Sequence, residues 1–291
     1  MTSRLAELHP RRFFLETWRQ MDEEARAERE RRRREGAGWD SRPLVAMCVG
    51  AVCLTAMEYL GNSGGDGLRV DTLGWVLERL HGDRAGPSFW SELRDSPWGR
   101  LVALGWWAGW RVLGYFLLPV VVLKLQGQRL VDNGLQTRGW LEHAWMYVLA
   151  YAVVLVCVIV VSFTEEFSTY YPFYKLASRS WFDLIVWELL YAAQFFSLEF
   201  FFRGWWLAQC KAAMGSHAIF AMVVPYCMIH YGKPGLEAVA AIVAGVVLGT
   251  LAMKTRSIWS GFLIHVSVAV SMDVAALLQT TGLPTVWWPE L

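Results

Sequence analysis

Residues 144–163 read AWMYVLAYAVVLVCVIVVSF and carry no charged side chain. A bilayer's hydrocarbon core is ~30 Å thick, so about 20 residues of helix cross it. Further apolar runs follow the same rule. The expected spans are Pro43–Leu60, Leu101–Leu123, Ala144–Phe163, Trp181–Leu207, His217–Tyr231, Leu236–Met253 and Ile258–Leu278. An eighth segment has room in 70–100, although that stretch is rich in charge. In lipid the backbone must satisfy its own hydrogen bonds. The expected fold is therefore all-α, a polytopic transmembrane bundle of about seven to eight helices. Only 18% of the chain is charged, against about 25% in a soluble domain. Seventeen tryptophans suit the membrane–water interface.

The chain divides into a charged cytoplasmic extension at 1–42, a first span with a polar loop at 43–100, and a core at 101–291. The first 42 residues hold eleven of the 27 Lys and Arg. They are too polar for a signal-peptide core, and EEARAERERRRREGAG reads as a solvated helix of mixed charge ending at a glycine break. Arg31–Arg34 offer a second reading, contact with anionic headgroups. Positive charge on the N-terminal side of the first span places the N-terminus in the cytoplasm. No basic patch with interleaved aromatics points to nucleic acid. Five cysteines without CxxC spacing read as buried small apolar residues rather than a disulfide framework or a zinc site.

Two spacings of small residues predict close helix packing. They are Ala241, Gly245 and Gly249, and the pair Gly105 and Gly109. Arg111, just beyond that pair, is expected to snorkel or to meet an acid such as Glu188.

Ionisable groups inside spans are costly and mark function by default. Glu188, Glu199 and Arg203 fall on the fourth span, His230 on the fifth, and His265 and Asp273 on the seventh. Glu199 and Arg203, four apart, are neighbours on one helix face. Glu188 lies eleven residues upstream, within about 20° of the same face. Asp273 is about 80° round the helix from His265. Each residue has a structural reading, as an intrahelical ion pair, a packed histidine or a backbone cap. Together, a carboxylate and two imidazoles in a dry cavity are the parts needed to activate water.

These motifs resemble the CAAX prenyl endopeptidase and bacteriocin-processing family of intramembrane proteases. Its Glu-Glu-x-x-x-Arg motif is met by Leu198, Glu199 and Arg203, its Phe-x-x-x-His motif by Tyr226 and His230, and its His-x-x-x-Asn/Asp motif by His265 with Ala269. The resemblance covers 181–278 closely. It implies an integral membrane endopeptidase that cuts a membrane-anchored protein or peptide, at a C-terminal sorting tail or CAAX-like tail, in a bacterial plasma membrane. The expected catalytic set is Glu199 as base, Arg203 holding it, His230 and His265 orienting water or stabilising the oxyanion, and Asp273 standing in one turn past Ala269. Two chemistries stay open. Either His230 and His265 bind a divalent metal such as zinc, with Glu199 or Asp273 completing the site, or Glu199 acts without one. Leu198 and Ala269 depart from the motifs, which keeps an inactive scaffold as the alternative. A proton-coupled transporter is a further one, disfavoured by the lack of an internal repeat.

Overall fold

The structure, a computed structural model, describes residues 9, 11–61, 76, 79, 80, 93 and 95–289. Most of the polar loop expected at 61–100, with its room for an eighth segment, lies outside the described residues. Within them the chain is all-helical and has no strand. Among the described residues six helices are long and apolar enough to cross a membrane, and the chain is an integral membrane protein. We name α1 Thr17–Arg34, α2 Arg42–Leu60, α3 Gly99–Leu125, α4 Trp140–Val161, α5 Glu165–Tyr170, α6 Trp181–Met214, α7 His217–Met228, α8 Gly235–Thr255 and α9 Trp259–Gln279.

The fifth expected span is corrected by α7. At 12 residues it rises only about 18 Å, short of a bilayer core. Its apolar run continues to Tyr231, but the helix stops earlier. His230 to Lys233 form a turn, with Gly232 at φ +88°.

Contacts divide the chain into two compact units. The first takes in the described parts of Met1–Gly50, with Pro119–Val153 and Glu199–His265. Here Gly245 and Gly249 face α7, and Ala241, one turn earlier, is buried. A Cβ at Gly245 would press on Val223 and Tyr226, and one at Gly249 on Met222 and Ile219. The small residues therefore bring α7 against α8, as expected, and fix where Tyr226 sits.

The N-terminal helix also packs in this unit. Phe13, Thr17, Met21 and Ala25, each four residues on, are buried. Trp18 Nε1 donates to Thr250 Oγ1 at 3.0 Å, and the Ser216 amide donates to Asp22 Oδ1 at 2.8 Å. The packing face lies mostly before the stretch read as solvated, 23–38, which is a largely exposed helix with only Ala25 buried. Its arginines are partly matched by its own acids, Arg31 by Glu28 and Glu35 and Arg34 by Glu30. Arg42 closes on Asp40 at 2.7 Å. Its hydrogen bonds hold the Asp40 carboxyl below the usual carboxylate range.

The second unit takes in the described parts of Ala51–Leu118, with Val154–Leu198 and Val266–Leu291. Its core includes Leu101, Tyr174, Trp187, Tyr191 and Ala269, with Phe173 and Trp107 packed on it. The Phe173 and Trp187 rings stack with centroids 5.3 Å apart. Gly105 and Gly109 differ from expectation. Nothing lies within 4 Å of a Cβ at either one, so no helix among the described residues approaches there. Gly61 and Gly114 are the close approaches instead, against Trp110 and Met57. Arg111 lies over the Trp107 ring and reaches the Tyr115 hydroxyl at 3.4 Å. The five cysteines are free thiols, Cys53 and Cys210 buried but Cys48 and Cys157 exposed.

Candidate active site

Within α6 the hydrogen-bonding pattern changes directly after Glu199. Residues Phe200–Trp206 form a π-helical turn, all seven buried. Such turns cost regular bonding and recur at functional sites. This one carries Arg203, Phe200–Phe202, Trp205 and Trp206, so the bulk that surrounds the charge comes from the same turn. Two glycines admit the packing around it. A Cβ at Gly50 would overlap the Trp206 ring, and one at Gly204 would meet the Asn133 carbonyl.

Glu199 and Arg203 have fully buried side chains and form an ion pair at 3.1 Å between Oε1 and Nη1. Arg203 also lies over the Tyr226 ring, its Cζ 3.9 Å from the centroid. Burying two charges is favourable only when each is well paired, and here the guanidinium has a carboxylate on one side and a π face on the other.

α9 and α7 supply the remaining groups. His265 Nδ1 lies 2.7 Å from Glu199 Oε1, and its Nε2 lies 3.0 Å from the Tyr226 hydroxyl. An ionised carboxylate only accepts, so Nδ1 carries the proton and Nε2 accepts from the tyrosine O–H. His230 Nδ1 meets the Tyr226 carbonyl at 2.8 Å. A carbonyl also only accepts, so Nδ1 donates and Nε2 keeps its lone pair. Tyr226 therefore touches Arg203 with its ring, His265 with its hydroxyl and His230 with its carbonyl.

One carboxylate oxygen remains. Glu199 Oε2 is buried and has no hydrogen-bond partner among the described residues. Gly261, one turn before His265 on α9, gives this oxygen its place, since a Cβ there would overlap Oε2.

The expected residues thus fall as follows. Glu199, Arg203, His230 and His265 belong to one unit and are linked through Tyr226. Asp273 is fully buried in the second unit, where Oδ2 accepts from Trp187 Nε1 at 2.7 Å and Oδ1 from the Phe173 amide at 3.2 Å. Glu188 lies in the second unit too. Leu198 and Ala269, at the positions where the motifs carry polar groups, are buried apolar residues. Among the described residues no three His, Cys, Asp or Glu side chains come together as ligands. Both ring nitrogens of His265 are already committed to Glu199 and Tyr226.

Sequence reasoning gave Tyr226 no chemical part, and Gly261 none at all. The signal for the first was a tyrosine at the motif's phenylalanine position. For the second it was a glycine four residues before His265, hence on the same helix face.

Residues 180–271 match the family model described as type II CAAX prenyl endopeptidase Rce1-like. Comparison with curated proteins and with solved structures found no match. The family match supports a protease, and it covers the motif segments that carry Glu199, Arg203, Tyr226, His230 and His265.

Proposed function

From the match of residues 180–271 to the family model described as type II CAAX prenyl endopeptidase Rce1-like, we propose an intramembrane endopeptidase in which Glu199 activates the hydrolytic water. The observation that carries this is the asymmetry of the carboxylate. Oε1 is held by His265 and Arg203, while buried Oε2 has no hydrogen-bond partner among the described residues. A fixed carboxylate with one oxygen to spare is a general base within reach of a water proton.

The steps follow from the residues. Glu199 Oε2 takes a proton from water as the water oxygen attacks the scissile carbonyl carbon. The carbonyl π bond opens and its electrons move to oxygen. The charge of Arg203 is the feature suited to stabilise that oxyanion, while His230, whose Nε2 keeps its lone pair, accepts a hydrogen bond that orients the water. Glu199 then returns the proton to the leaving amide nitrogen as the C–N bond breaks, giving a carboxylic acid and an amine. Arg203 positions the base and does not exchange protons. Tyr226 and His265 keep Glu199 in one orientation. We assign Asp273 to holding Trp187 and Phe173, because both its oxygens are occupied by those donors.

The substrate of this reading is a peptide bond in the C-terminal tail of a membrane-anchored protein, with the N-terminus of the enzyme in the cytoplasm. Purified wild type in liposomes is expected to cut tagged tail peptides, and Glu199→Gln to lose that activity while keeping its unfolding temperature within a few degrees. Cleavage by Glu199→Gln at the wild-type rate would end the proposal. A second reading, a non-catalytic scaffold, is favoured by Leu198 and Ala269. It requires that wild type cut none of the tails.

A further inference from the structure

A polar cavity of about 540 Å³ opens in the unit that contains Glu199. Its size lies within the roughly 300–1,000 Å³ of sites for small ligands. One wall is the N-terminal segment, through Arg12, Glu16, Gln20 and Met21. Arg203 and Gly204 of the π turn line it as well.

Two features of the lining bear on what it takes. Arg203 is 1% exposed, and none of its three guanidinium nitrogens has a hydrogen-bond partner among the described residues. Its approach to Glu199 is an ion pair without hydrogen-bond alignment. A buried guanidinium with unused donors is aimed at an acceptor. Around it, four further bases line the cavity, Arg12, Lys211, Lys254 and Arg256, against three acids. One of those acids, Glu24, already pairs with Arg256 at 3.6 Å. That pair uses one charge of each sign and leaves Arg12, Lys211 and Lys254 against Glu16 and Asp132, a small positive excess that favours an anion, while the glutamines and those acids suit a ligand that also offers N–H groups. The end of a peptide has this chemistry, a carboxylate preceded by amides.

The wall is held in place. Trp18 is tied to Thr250, Asp22 to the Ser216 amide and Arg29 to the Ala213 carbonyl. Gly215, at φ +58°, leaves the room that Asp22 occupies.

We propose that this cavity receives the C-terminal end of the substrate, and that the N-terminal segment, outside the family match, forms the wall that selects it. The proposal rests on the protease reading above. Arg203 joins the two places, since it lines the cavity and pairs with Glu199. A chain end seated there has its free carboxylate among the bases, with Arg203 the residue shared between the cavity and the Glu199 pair.

The test is binding, read separately from cleavage. Short fluorescent peptides with randomised C-terminal residues are prepared as free acids and as C-terminal amides. Anisotropy is measured with full-length Glu199→Gln in detergent, and with wild type before turnover. The acid pool is expected to bind about tenfold tighter than the amide pool, the scale of one charge-assisted hydrogen bond. Lys254→Ala and Arg12→Ala, both at the surface of the cavity, are each expected to shrink that preference several-fold. Equal binding of acid and amide would overturn the proposal, as would substitutions that weaken both pools alike. Displacement of both pools alike by vesicles of anionic lipid would assign the cavity to headgroups instead. A preference for the acid in a wild type that cuts no peptide would sink the protease reading and keep the cavity. Cleavage without any acid preference would do the reverse.

Discussion

His265 Nδ1 and Glu199 Oε1 lie 2.7 Å apart, although 66 positions separate them in the chain. The contact orients the carboxylate that we propose as the base. His265→Ala removes the donor and leaves Oε1 with Arg203 alone. The expected loss in kcat is about 10²–10⁴-fold, the usual scale for a general-base apparatus. KM for the same tail peptide should change much less. A KM effect without a kcat effect would move His265 to substrate binding.

Tyr226→Phe isolates the hydroxyl. The ring that faces Arg203 and the carbonyl that accepts from His230 both survive the change. What is lost is one hydrogen bond to His265, about 0.5–1.5 kcal/mol. Thermal unfolding should shift little, while kcat is expected to fall several-fold as His265 loses its fixed tilt. Unchanged kcat would mean that the Glu199 contact alone suffices to hold the imidazole.

Arg203 and Glu199 predict a stability pattern that a surface pair would not give. Arg203→Met leaves a buried carboxylate with one partner fewer, at a cost of about 3–5 kcal/mol. Adding Glu199→Met is expected to recover most of that loss, since matched apolar side chains replace buried charges well. Denaturation of both variants in the same detergent compares them. A double variant less stable than Arg203→Met alone would show that the pair contributes net stability.

Gly261→Ala tests the fit around Oε2. The added Cβ collides with the carboxylate oxygen, and overpacking a filled site costs about 1–3 kcal/mol. Glu199 must turn away or α9 must shift. Activity is expected to drop by at least about tenfold even in the fraction that stays folded, consistent with the sensitivity of catalysis to small misplacements. Full activity would mean that the site has more slack than these contacts indicate.

The membrane helices were legible because burial in lipid demands long apolar runs whatever the helices pack against. Misreadings came where length or partners mattered. The apolar run over His217–Tyr231 looks like a span, yet α7 ends at Met228 and a glycine turn follows. Ala241, Gly245 and Gly249 were readable as a contact face, and α7 uses it. Gly105 and Gly109 have the same spacing and no neighbour among the described residues. Spacing states what can approach, and only packing decides what does. In the N-terminal helix, charge hid a buried face. Phe13, Thr17, Met21 and Ala25 fall at every fourth position, and two of the four are small or polar.

By itself the sequence determined that the chain is a helical membrane protein and that Glu199, Arg203, His230 and His265 sit where ions are costly. It could do so because both facts follow from local composition and periodicity. The tertiary structure alone decided that Tyr226 links these groups, that Gly261 makes room for one oxygen, and that Asp273 is held by Trp187 and Phe173. Those are contacts between residues far apart in the chain, set by how whole helices settle against each other, and no local pattern encodes a distance of that kind.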